Sequence, residues 1–290
     1  MTNWLPRRDN MIDRQAEAWR PPLFTSTNGA RGRCMAALRR FLDLQAASIW
    51  NDLAVLLPTC SGSFLDVGCG AQPYRSLLSR EVKYAGIDTA DAQQHFGYQV
   101  ADTTYFAGEA WPVADASVSN VLATETLEHV SRPERFLAEA RRCLLPGGRL
   151  LLTVPFAARW HFIPHDYWRF TPSGLRQLLT EAGFAEIAVY ARGNELTVAC
   201  YKTVTLLLAW LFGSGGLSIG GVVRRVIALA LSPLIVLLAG VGQLSLRSRG
   251  GDDCLGYTVV AHRSASWKLA TGSHVGELQA GSLHYGSEAS

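Results

Sequence analysis

Two carboxylates and two glycines, Asp66, Gly68, Gly70 and Asp88, carry the clearest chemistry in this chain of 290 residues. Phe64-Leu-Asp-Val67 reads as a short buried strand that breaks into Gly68-Cys-Gly70. Neither glycine has a Cβ and both can take positive φ, so the backbone there can approach a ligand closely. Twenty residues after Gly68 stands Asp88, at the end of a second strand pattern. A carboxylate at that position can accept both ribose hydroxyls of an adenosine cofactor, each charge-assisted bond being worth about 1.5–3 kcal/mol. The competing account, an exposed strand-end Asp, is disfavoured by the spacing.

The residues around the turn then choose between adenosine cofactors. A dinucleotide fingerprint asks for glycine at position 73, where helix and strand pack closely; this chain has Gln72-Pro73. Asp66 would also repel a pyrophosphate. A positively charged sulfonium cofactor carrying an amino group suits the site better, and a nicotinamide enzyme is disfavoured.

These residues need a sheet to hold them. Strand patterns at Phe64–Val67, Tyr84–Ile87, Tyr98–Val100, Val118–Ala123, Arg149–Val154, Ala185–Tyr190 and Gly256–Ala261 alternate with helix patterns. The helices are expected over Arg31–Leu57, from about Pro73, over Arg132–Cys143 and over Ser173–Ala182. Such alternation predicts an α/β fold built on a doubly wound, mostly parallel sheet. The expected organisation is a loosely ordered lead-in over 1–30, a core over 31–192, an apolar helical insertion over 193–254, a closing strand over 255–263 and a disordered tail over 264–290.

Taken together, Phe64-Leu-Asp-Val-Gly-Cys-Gly70, Gly86-Ile-Asp88, Thr126-Leu-Glu-His-Val130 and Leu145-Pro-Gly-Gly-Arg-Leu-Leu-Leu-Thr-Val-Pro155 resemble the class I S-adenosylmethionine-dependent methyltransferases. The likeness covers residues 60–192 and the closing strand. It implies a Rossmann-like sheet with an antiparallel last strand. It also implies that Asp66, Gly68 and Gly70 line the methionine moiety, that Asp88 holds the ribose, that Asp102 meets the adenine amino group and that Thr124 closes the pocket. Gln72 stands where many members have a further glycine and Asn120 where many have Asp, which weakens the sub-family assignment more than the fold.

The segment from Phe156 to Thr171 is dense in aromatic and titratable groups, and it must lie at the carboxyl ends of the strands, where ligands bind in open α/β sheets. It also resembles a His-Asp-Tyr-Trp-Arg-Phe-Thr-Pro segment of some of these enzymes. For a hydroxyl acceptor, His165 or His161 is the candidate general base, Asp166 its orienter and Tyr167 a polar contact. The competing account has the aromatics packing the loop and Asp166 paired with Arg169. No metal site is expected: Pro164 spoils helical presentation of His161 and His165, no cysteine is near, and adjacent Glu128 and His129 point apart on a helix and read as structural.

Charged residues are 18% of the chain against about 25% in ordinary domains. Much of the deficit lies in Thr203–Val223 and Val226–Leu246, two uncharged runs of 21 residues separated by Arg224-Arg225. Two full spans would strand both arginines on the far side or bury them at about 5–7 kcal/mol, so a monotopic or re-entrant helical pair is expected. A net charge of +3 without a basic run argues against nucleic acid. Six scattered cysteines and the absence of an apolar leader run point to the cytoplasm, with membrane association through the insertion. The expected activity is methyl transfer from S-adenosylmethionine to a small-molecule or lipid-linked acceptor. The alternative is a non-catalytic adenosine-binding module anchored through the insertion.

Overall fold

The computed structural model describes residues 29–92, 99–213 and 218–264. Most of the expected lead-in, the tail after residue 264 and Tyr98 lie outside the described residues. Two helices open the described chain, α1 (Gly29–Leu42) and α2 (Leu44–Leu56). A single helix was expected over this stretch; Asp43 divides it by turning extended and accepting the N–H of Ala46 at 3.2 Å, as an N-cap does.

Seven strands follow: β1 (Ser63–Val67), β2 (Lys83–Thr89), β3 (Thr103–Phe106), β4 (Val118–Thr124), β5 (Leu144–Pro155), β6 (Phe184–Arg192) and β7 (Gly256–Arg263). They form one sheet in the order β3-β2-β1-β4-β5-β7-β6, parallel except for β7, which runs antiparallel to both β5 and β6. The order reverses between β1 and β4, which opens a crevice at their carboxyl ends.

Alternate residues of a strand face opposite sides, and the core divides accordingly. On one side Leu65, Val67, Val121, Leu150 and Leu152 pack with α3 (Pro133–Cys143) and α4 (Pro172–Glu181) through Leu137, Ala140, Leu175 and Leu179. On the other, Phe64, Leu122 and Leu151 pack under Ile49 and Leu53 of α2. The sheet is therefore doubly wound, as its sequence predicts.

Two expectations need correction. Among the described residues no α-helix lies between Pro73 and β2: Gln72 takes φ of +53° and the chain there makes a 3-10 turn, Arg75–Leu77, so α2 covers this part of the sheet instead. The third strand lies at Thr103–Phe106, later than Tyr98–Val100, which puts Asp102 before the strand rather than after it.

Among the described residues the apolar insertion holds three helices rather than two: α5 (Glu195–Phe212), α6 (Ile219–Ala230) and α7 (Ser232–Ser245). Pro233 sits in the first turn of α7, which bends from α6 by 59°. An Asn194 capping box starts α5, and Thr197 bonds Ser245 at 2.7 Å to tie the insertion's two ends. At Gly242 a Cβ would meet Leu44 at 2.3 Å, so this glycine lets α7 press against α2. By length and composition α5 suffices to cross a membrane.

A candidate cofactor site and its acceptor loop

The turn after β1 is tied to β2 rather than left open. The N–H groups of Gly68 and Cys69 donate to the carbonyl of Ile87 at 2.9 and 3.2 Å, and that of Gly70 donates to Oδ2 of Asp88 at 2.9 Å. Thus the turn's amides are taken up by β2, and what it offers a ligand is the Asp88 carboxylate on the wall of the adjoining cavity. Asp66 is buried beneath it, accepting the Tyr84 hydroxyl at 2.9 Å. Burial pushes Asp66 up to about 7, against the Tyr84 bond and with the Asp88 charge adding to it. Burial also raises Asp88, offset in part by the N–H groups of Thr89 and Gly70.

A cavity of about 270 Å³ opens beside these groups, lined by Gly68, Asp88, Phe106, Trp111, Thr126 and His129 among others. At Gly68, with φ of +68°, a Cβ would lie 2.6 Å from Oγ1 of Thr126. At Gly86 it would lie 2.9 Å from Sγ of Cys69. Both glycines are required by close approach.

Asp66, Gly68, Gly70 and Asp88 are therefore brought together. Asp102 is not: it is exposed, paired with Arg75 at 3.4 Å, and stands before β3, whereas Phe106 at that strand's far end reaches the cavity. Thr124 ends β4 with its hydroxyl buried and without a partner among the described residues, while Thr126 supplies the cavity wall.

The 156–171 loop folds against the segment after β4. The N–H groups of Tyr167 and Trp168 donate to the carbonyl of Glu128 at 2.9 and 3.3 Å, and Trp168 Nε1 donates to that of Val130 at 2.8 Å. The Asp166 side chain is wholly buried and receives both terminal nitrogens of Arg169 at 2.7 Å and the His161 N–H at 2.9 Å. Burial alone would raise its carboxyl, but Arg169 and His161 outweigh it and hold it well below the usual range. Asp166 thus orients His161, at 3.1 Å, and anchors the loop; His165 instead meets the Tyr167 hydroxyl at 3.2 Å.

Sequence reasoning passed over Glu128 and His129. Their adjacency suggests divergence on a helix, yet they occupy one 3-10 turn, with Nε2 of His129 3.6 Å from Oε1 of Glu128. Burial lowers His129 to about 4 and raises Glu128 well above its ordinary range, the latter helped by Glu125. Also unforeseen is the buried Arg192, which donates to Glu125 at 2.8 Å and to the carbonyl of Val154 at 2.9 Å, joining β4, β5 and β6. Gln45 of α2 donates to the same carboxylate at 3.0 Å.

A family model described as a methyltransferase domain matches residues 29–189, more than half of the chain. The chain belongs to this methyltransferase family. S-adenosylmethionine is the cofactor of such enzymes, and this methyltransferase's residues fit it: Asp88 lines the cavity, where it can accept from ribose hydroxyls, and the Asp66 carboxylate lies buried beneath the same turn. Among similar proteins, an uncharacterized methyltransferase of Mycobacteroides abscessus is 36% identical over 132 residues, covering 36% of this chain and 51% of the relative. A ubiquinone biosynthesis O-methyltransferase of Cereibacter sphaeroides is 30% identical over 170 residues, covering 48% of this chain and 66% of the relative. The methyltransferase thus spans half to two thirds of these relatives. A solved S-adenosylmethionine-dependent methyltransferase of Archaeoglobus fulgidus aligns with a TM-score of 0.48 at 15% identity, over 79% of this chain and 99% of that one.

Proposed function

We propose that this chain methylates a small-molecule or lipid-linked acceptor at a membrane surface, by in-line transfer. When bound, S-adenosylmethionine supplies a methyl group on a positive sulfonium. Asp88 holds the ribose hydroxyls through the lone pairs left beside its two backbone bonds. Asp66 sets a negative charge in a buried site, where it favours a cationic cofactor strongly. The 156–171 loop shields the crevice and presents His161 or His165 to an acceptor proton. What carries this reading is the turn itself, whose amides are bonded to β2 while the Asp88 carboxylate lines the cavity and Asp66 lies buried beneath the turn.

The insertion supports the membrane part. Val226, Leu229, Leu237 and Leu244 are each more than 60% exposed, far more apolar surface than an ordinary soluble face carries. From residue 196 to 251 there are five basic residues, Lys202, Arg224, Arg225, Arg247 and Arg249, and no acidic one. An apolar face bordered by positive charge complements a leaflet containing anionic lipid. A relative named for ubiquinone-biosynthesis O-methylation supports an oxygen acceptor.

The test is to incubate the purified protein and methyl-labelled cofactor with cell extract, separated into membranes and soluble metabolites. Label is expected in a membrane-extractable or small-molecule fraction. Saturable cofactor binding with no labelled acceptor would instead establish the non-catalytic module.

A further inference from the structure

The strongest unassigned cluster lies between the cofactor cavity and the 156–171 loop. Glu128, His129 and His161 each offer one ligand atom, and the three atoms lie within 4.8 Å of one another. Glu128 is 0% exposed, and neither carboxylate oxygen has a hydrogen-bond partner among the described residues. Arg169, a cation nearby, directs both terminal nitrogens to Asp166 instead. An ionised carboxylate buried without a partner is costly, and protonation would still leave its carbonyl oxygen unmatched.

The imidazoles are set as ligands. Nδ1 of His129 lies 2.8 Å from the carbonyl of His165; a carbonyl only accepts, so Nδ1 carries the proton and Nε2 keeps a lone pair. That lone pair lies 3.6 Å from Oε1 of Glu128, too far for a hydrogen bond, so the two atoms converge without satisfying each other. Nδ1 of His161 has two acceptors nearby, the carbonyl of Arg159 at 3.0 Å and Asp166 at 3.1 Å, against one donor, Arg169, at 3.4 Å. The majority fixes the proton on Nδ1 and frees Nε2. The two rings meet edge to face with centroids 4.9 Å apart.

We propose that Glu128, His129 and His161 form a binding site for a divalent transition metal of the zinc type. Two imidazole nitrogens and one carboxylate oxygen are a common zinc set, leaving a fourth position for water or an acceptor oxygen. The carbonyl of His165 and the Asp166 carboxylate are the outer partners that orient such histidines. Ligand atoms in a tetrahedral site stand about 3.3 Å apart, so the set closes around the ion by a small movement of the loop that carries His161. His129 also lines the cofactor cavity, which puts the metal beside the place of reaction.

The test does not depend on methyl transfer. Purified protein is stripped with chelator and titrated with Zn²⁺ by calorimetry and with Co²⁺ by visible absorption. One equivalent is expected to bind, with a Co²⁺ spectrum free of thiolate charge transfer. His129→Ala and His161→Ala should each lower affinity at least tenfold, with circular dichroism unchanged. Glu128→Gln, which keeps the shape but removes the charge, should do the same. The proposal is overturned by absent binding, by a thiolate spectrum, or by unchanged affinity in His161→Ala or Glu128→Gln.

Discussion

Asp88 receives the N–H of Gly70 through Oδ2 at 2.9 Å and that of Thr89 through Oδ1 at 2.7 Å, so one carboxylate holds the glycine turn to the end of β2. Asp88 also lines the cavity. Asp88→Ala removes both functions at once. Cofactor affinity should fall at least tenfold, the scale of one lost charge-assisted bond, as measured by calorimetric titration. Unaltered affinity would mean that the ribose lies elsewhere.

The second prediction concerns pH. Asp66 stands near 7 in the fold against an ordinary 3.8, so the folded chain holds a proton that the unfolded chain has released across that window. Stability of the cofactor-free protein should therefore fall as pH rises from about 4 toward 7. Cofactor binding runs the other way, because the ionised carboxylate attracts the cation. Affinity should rise about tenfold between pH 6 and 8, and Asp66→Asn should flatten that profile.

Gly68 combines a φ of +68° with a Cβ position 2.6 Å from Thr126. In Gly68→Ala the added methyl costs about 1–2 kcal/mol in backbone strain before the clash is counted. The turn must shift to relieve it. Loss of cofactor binding with a retained thermal transition is the expected result, read by titration and differential scanning calorimetry.

Arg192 is almost wholly buried and ties Glu125, Ser48 and the Val154 carbonyl. Arg192→Leu leaves the Glu125 carboxylate without its cation. Breaking a buried pair in this way costs about 3–5 kcal/mol. For a chain of this size the melting temperature should drop by about 10 °C. A shift within one or two degrees would show that the network is not structural.

For the insertion, sedimentation with vesicles is decisive. Binding to vesicles containing anionic lipid is expected, weakening with salt, and Val226→Glu with Leu229→Glu should abolish it. Equal sedimentation of the double variant would exclude this face as the contact.

Much of the site was legible because it is local. Gly68, Gly70 and Asp66 lie within one strand and turn, and Asp88 follows at the spacing that parallel neighbours β1 and β2 impose. The inward residues of β1, β4 and β5 read as apolar runs since both faces of the sheet are covered. The third strand was expected too early because weak strand signals precede Thr103, and the register of a short strand follows from its pairing with β2 rather than from its own residues. The helix expected after Pro73 failed for a similar reason: α2, from before β1, already covers Tyr74, Leu77 and Leu78.

The sequence by itself determined the sheet's alternation, the glycine turn and the carboxylates that suit a cationic cofactor, because these depend on local spacing and on period. Only the tertiary structure decided that the turn's amides bond to β2, that Asp166 serves Arg169 and His161, and that Glu128, His129 and His161 converge. The turn and β2, and the 128–129 turn and His161, are apart along the chain and only packing brings them within reach; the Asp166 partners are near in sequence, but which of them it serves depends on how the loop folds.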